Sequence, residues 1–237
     1  MPLRTQMTED KIAVRDAATV IVVRDRKTTP RVLMGQRGSN AVFMPNKFVF
    51  PGGAVDAEDA DVPLTQMINN PCFSRLAEMS DPALIHSICV AAIRELYEET
   101  GQILGVKGAW EGAVPKDWIL FSQAGFLPDA SGMQYVFRAI TPPGRPRRFD
   151  ARFFFVDADL LQSDLDDFSA ASEELSHLQW IALDQVRKYD LPFITEIVLA
   201  EIGARVNVNT PPTSVPFFKN DDEDHEFLRL RGYKRPL

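Results

Sequence analysis

Arg94-Glu95-Leu96-Tyr97-Glu98-Glu99-Thr100-Gly101 is the stretch on which the reading of this chain turns. Behind it, Ile85, Cys89, Ala92, Ile93 and Leu96 recur mostly three and four residues apart, as in a helix with one apolar stripe. Asp81-Pro82 predicts the start, a capping carboxylate followed by a proline whose fixed φ suits the first turn. Gly101 predicts the stop, because glycine takes the left-handed turn that ends a helix. At about 100° per residue, Glu95, Glu98 and Glu99 share one face, roughly 100° from the apolar stripe. Three crowded carboxylates repel unless something positive sits among them. Arg94, four residues before Glu98, is expected to neutralise one of them but not all three. On its own the cluster reads more readily as the solvated acidic face of a surface helix.

A second feature lies upstream. Pro51-Gly52-Gly53 is followed by Asp56, Glu58 and Asp59. A Gly-Gly turn lets backbone carbonyls approach a cation closely, and hard oxygen ligands suit Mg²⁺ or Mn²⁺ bound with a substrate phosphate. Gly53, Asp59 and the stretch 94–101 together resemble the Nudix box: Gly, five residues, a carboxylate, then Arg-Glu-apolar-x-Glu-Glu-x-Gly-apolar. There are three departures. Asp59 stands where the family usually has Glu, and Gln102 where an apolar residue is usual. Between Asp59 and Arg94 lie 34 residues, where the family pattern has seven. A similar insertion marks the coenzyme A diphosphatase-like branch, which the chain also resembles in VLMGQRGSNAVFMPNKFVFPGG and ITPPGRPRRFDARFFFVDAD.

Composition sets outer bounds. The 237 residues, 45% hydrophobic, can bury a full core in one domain, 1–237, with the segment 60–80 as an insertion and 205–237 as a tail. No apolar run is long enough to predict a membrane span. MPLRTQMTEDK lacks the apolar core of a signal peptide, and two cysteines make no disulfide framework, so a reduced cytoplasmic setting is expected. A net charge of −7 argues against nucleic acid as the main partner, though not against a small phosphorylated ligand held through a metal. His86, His177 and His225 are scattered, which gives zinc little support.

In chain order, residues 1–16 read as a polar lead. Ala17–Val23 and Arg31–Arg37 predict a hairpin, and Phe48–Phe50 a short third strand. In the insertion, Leu64, Met67 and Ile68 suggest one short helix, and Phe73, Leu76 and Met79 another. These are expected to pack as a flap, or else to shape a substrate entrance. Strands are predicted at 133–142 and 152–156 and a helix closing at Ile202. The tail, with Pro211-Pro212 and Asp221-Asp222-Glu223-Asp224, is expected to wrap over the domain or to be partly mobile.

Five basic residues are candidates for substrate contact. Arg37 ends its strand where a substrate would sit, or is simply solvated there. Arg145, Arg147, Arg148 and Arg152 form the strongest positive cluster of an acidic chain, suited to phosphate or to a charged hairpin. Nudix proteins tend to place another carboxylate some six residues before a tryptophan outside the box. Glu174 holds that offset from Trp180, with Glu173 beside it.

The resemblance implies an α/β fold, a Nudix-type α/β/α sandwich with a mixed central sheet and an inserted helical segment. It implies Glu98, Glu99, Glu95 and the Gly53 carbonyl as ligands of Mg²⁺ or Mn²⁺. Arg94 would orient the carboxylates, and Glu95 or Glu174 would be the base. The reaction would be hydrolysis of a nucleoside diphosphate linked to another moiety, coenzyme A or an acyl-CoA first, ADP-ribose or an ADP-sugar second. A Nudix-fold binding protein without catalysis is the alternative from another class. The expected partner is that small molecule, with neither nucleic acid nor membrane, and a homodimer stays open.

Overall fold

Alternation along the central strand decides the architecture. In β1 (Val14–Arg24), Ala18, Val20 and Val22 enter one apolar cluster while Ile21 and Val23 enter a second. β-Branched residues fit such a pleated surface buried on both faces. The computed structural model describes residues 13–220 and 225–233. The other elements are β2 (Arg31–Arg37), β3 (Phe48–Val49), β4 (Gly52–Ala54), α1 (Cys72–Leu76), α2 (Leu84–Thr100), β5 (Gly105–Lys107), α3 (Ile119–Gln123), β6 (Phe126–Pro128), β7 (Gln134–Ile140), β8 (Arg148–Asp157), β9 (Leu175–Ala182), α4 (Phe193–Arg205), β10 (Val215–Asn220) and β11 (His225–Leu230).

The main sheet runs β11-β10-β7-β8-β1-β2-β3, with β4 also on β1 and β9 on β2. β1 and β8 are parallel, as are β10 and β7; the remaining pairs are antiparallel, so the sheet is mixed. β5 and β6 pair separately. α2 supplies Ile85, Ile88, Cys89, Ala92, Ile93 and Leu96 to the first cluster; Val198, Leu199 and Ile202 of α4 close the second. The sandwich is therefore the α/β/α arrangement expected. α2 is buried on far more than one stripe, with Ser87, Val90, Ala91 and Arg94 also covered. It begins at Leu84 rather than Pro82, and Gly101 ends it at φ 73° with its N–H on the Tyr97 carbonyl.

Two expectations change. Residues 64–68 form no helix; within the insertion α1 is the helix, and Val62, Ile68, Cys72 and Leu76 are buried in the first cluster. The insertion is a packed flap. Its return is fixed by a buried ion network: Arg138 grips Asp150 through two bonds of 2.9 and 2.7 Å and donates to the Met79 carbonyl at 3.0 Å. Arg152 pairs with Asp16 and donates to Ser80 at 3.2 Å. The tail is the second change. Instead of wrapping the domain, β10 and β11 extend the sheet, and Val215, Phe217 and Leu230 enter the first cluster. Phe217 also carries the Arg138 guanidinium over its ring, 4.3 Å from the centroid. The acidic run 221–224 lies outside the described residues, as do 1–12 of the predicted lead.

Candidate active site

Arg94 organises the site. Its Nε and Nη2 hold both oxygens of Asp59 at 2.9 and 3.0 Å, a forked pairing that lysine could not make. Nη2 also donates to the Ala54 carbonyl at 3.0 Å. Nη1 turns to the helix face, 2.8 Å from Glu95 Oε1 and 3.2 Å from Glu98 Oε2. One guanidinium thus serves two of the three box glutamates as well as Asp59, more than the single neutralisation expected. The long insertion leaves Asp59 in place: it is buried, and its second oxygen also accepts the Asp56 N–H at 2.8 Å.

Glu99 turns the other way. Its Oε2 accepts the Gly52 N–H at 2.7 Å, while Oε1 is buried without a hydrogen-bond partner. Glu95 lies against the next residue, since a Cβ on Gly53 would overlap its carboxylate. Gly52 at φ 155° and Gly53 therefore bring bare backbone to both glutamates. Burial pushes the Glu95 carboxyl up to about 7, against the pull of Arg94 and with further push from Glu98 and Glu174. Burial raises Glu99 well above the usual carboxylate range, the Glu95 charge adding to it. Glu98 is raised too, by burial and by the charge of Asp117.

Glu174 directly precedes β9. Arg37, at the end of β2, donates to Glu174 Oε1 at 3.0 Å. Two residues singled out separately are therefore a pair, and Glu174 is near enough for its charge to act on Glu95 and Glu99.

No protein-family model matches the chain. A curated relative, "Putative nudix hydrolase 7" of Caenorhabditis elegans, is 31% identical over 179 residues, covering 70% of this chain and 51% of that protein. The chain spans about half the length of that relative. The crystal structure of a Nudix hydrolase from Alicyclobacillus acidocaldarius matches with a TM-score of 0.60 at 24% identity, over 84% of this chain and 93% of that one. The chain has the Nudix fold.

The donor set of α2 suits a divalent cation. The orphaned Glu99 Oε1, the bare backbone at Gly53 and three carboxylates resisting ionisation share one need, a positive charge. Among the described residues no three histidine, cysteine or carboxylate groups stand as a ready ligand shell, and Arg94 is the cation that Glu95 and Glu98 hold.

The predicted arginine cluster divides. Arg145 and Arg147 are exposed on the connection between β7 and β8. Arg148 and Arg152 are buried, which corrects their assignment to substrate. Arg148 donates to the carbonyls of Thr141 and Asn220, and Arg152 to Asp16, the Asp150 carbonyl and Ser80. Asn220, Asp16 and Ser80 are far away in sequence, so adjacency along the chain concealed the difference. Asp117 was not singled out at all. Its stretch has no clear period, and the available signal is Trp118 beside it, whose buried ring edges Phe121 as Phe121 edges Tyr97 of α2.

Proposed function

We propose that this Nudix-fold chain is a divalent-metal-dependent hydrolase of a phosphoanhydride in a nucleoside diphosphate joined to another group, with coenzyme A or an acyl-CoA as the favoured substrate. The observation that carries the chemistry is the Arg94 clamp. It gathers Asp59, Glu95 and Glu98 beside a bare Gly-Gly backbone and a buried, half-satisfied Glu99. The C. elegans relative's name supports the same reaction class.

Glu95, Glu98, Glu99 and the Gly53 carbonyl would hold Mg²⁺ or Mn²⁺. Such a cation, when bound, polarises a diphosphate and lowers the pKa of an attacking water. The chain's own residues supply position and charge, on which phosphoryl transfer chiefly depends. Arg94 keeps Glu95 and Glu98 facing one way. Glu95 or Glu174 would take the water's proton, the first favoured by its raised pKa and the second by its exposed carboxylate. Arg37 would meet a phosphate when Glu174 releases it, and Arg145 and Arg147 would receive the additional 3′-phosphate of coenzyme A. The buried, unpaired Cys72 and Cys89 support a reduced compartment.

The test is a panel of coenzyme A, dephospho-coenzyme A and ADP-ribose with Mg²⁺ or Mn²⁺, each against chelator. Coenzyme A should give a 3′,5′-bisphosphate nucleotide and phosphopantetheine, with dephospho-coenzyme A slower. Reversing Arg145 and Arg147 to glutamate should erase that preference. Faster cleavage of ADP-ribose would overturn the substrate and leave the chemistry; no cleavage of any of the three would overturn the chemistry.

A further inference from the structure

Gln102 stands where the Nudix box ordinarily carries an apolar side chain. It is fully buried, yet its amide is well occupied. Nε2 donates to the carbonyls of Asp164 and Asp167 at 3.0 and 3.1 Å, and Oε1 accepts from Ser163 Oγ at 2.9 Å. Ser163 Oγ in turn accepts the Ile103 N–H at 3.1 Å. Only a primary amide donates twice and accepts once in so small a space. Leucine would fill the volume and take the amide donor from both carbonyls, leaving that of Asp164 only the Asp167 N–H at 3.2 Å, and glutamate would set a charge against them.

These contacts grip the near end of loop 163–174, which runs from the end of β8 toward β9. Its far end is held by the same helix: Ser172 N–H donates to the Glu98 carbonyl at 2.7 Å, and Ala170 and Ala171 lie against Gly101. Within the near end, Trp180 Nε1 of β9 donates to the Leu165 carbonyl at 2.8 Å. Glu174 follows two residues after Ser172, with its carboxylate on Arg37. The loop thus reaches Glu174 from fixed points on the segment that carries Glu98 and Glu99.

We infer that Gln102 is a positioning residue, latching loop 163–174 to the end of the Nudix helix so that Glu174 is delivered to the box carboxylates. This rests on the reading above in which Glu174 works at the site. The experiment is a double-mutant cycle of Gln102→Leu and Glu174→Gln, with kcat and KM measured on whichever panel substrate is cleaved. Gln102→Leu should lower kcat about tenfold or more with KM within about threefold. It should cause no further loss once Glu174 is already glutamine. Losses that multiply would overturn the inference, since Gln102 would then act through something other than Glu174. If Glu174→Gln turns over like wild type while Glu98→Gln does not, the reading of Glu174 fails, and the inference with it. Should Gln102→Leu not fold, Ser163→Ala removes one strut of the latch and must show the same lack of additivity; multiplying losses there would equally overturn it.

Discussion

At Gly53 a single hydrogen atom separates the backbone from the Glu95 carboxylate. The atoms a Cβ would strike are the far end of a flexible side chain, so Gly53→Ala should fold normally while pushing the carboxylate aside. Stability within about 1 kcal/mol of wild type and turnover reduced about a hundredfold are expected from melting and rate measurements. Glu95 also gives a pH dependence. Its folded carboxyl sits at about 7, above its ordinary 4.5, because burial disfavours the charge. Protonated, it contributes stability that is complete below about pH 4.5 and lost as pH rises through about 7. In chelator, the urea midpoint of wild type should therefore fall between pH 5 and pH 8 by more than that of Glu95→Gln. Equal falls in the two proteins would remove Glu95 as the cause. The box glutamates and Arg94 were legible because they are neighbours in sequence. Asp59's hold on Arg94 was not, because 34 residues intervene and only the fold closes that distance.

Among the elements, α2 is tied to Ala54 and Asp59 through one side chain, Arg94. Arg94→Ala would leave the buried Asp59 without its forked partner, a change that typically costs about 3–5 kcal/mol. Denaturant unfolding measures it. Arg94→Lys should recover only part of the loss, since an ammonium cannot take both oxygens and the Ala54 carbonyl together. α2 itself was readable from its period and its closing glycine. The insertion and the tail were less so. Leu64, Met67 and Ile68 have helical spacing, but Pro63 and Asn69-Asn70-Pro71 break the backbone close on either side. Val215–Asn220 carries a proline and a short apolar run without strict alternation, and its pairing with β11 on one side and β7 on the other makes it a strand.

Over the whole molecule, insertion and tail hold each other. Arg75 donates to the carbonyls of Pro212 and Thr213, and Glu78 accepts the N–H groups of Arg231 and Gly232 at 2.6 and 2.8 Å. Ending the chain at Asn209 would expose the β7 edge and strip Val215, Phe217 and Leu230 from the core. Loss of the cooperative melt is expected, although every box residue would remain.

Cation binding to the native state should raise the melting temperature by mass action, and Glu99→Gln should diminish that rise. The most direct measurement is turnover of the panel substrates by wild type, Glu98→Gln and Glu99→Gln in millimolar Mg²⁺ or Mn²⁺, each protein first shown to melt cooperatively. Either substitution should lower kcat by about three orders of magnitude or more with the fold retained. Folded variants that turn over within a few-fold of wild type would contradict the assignment of these glutamates as the metal-holding core of the site.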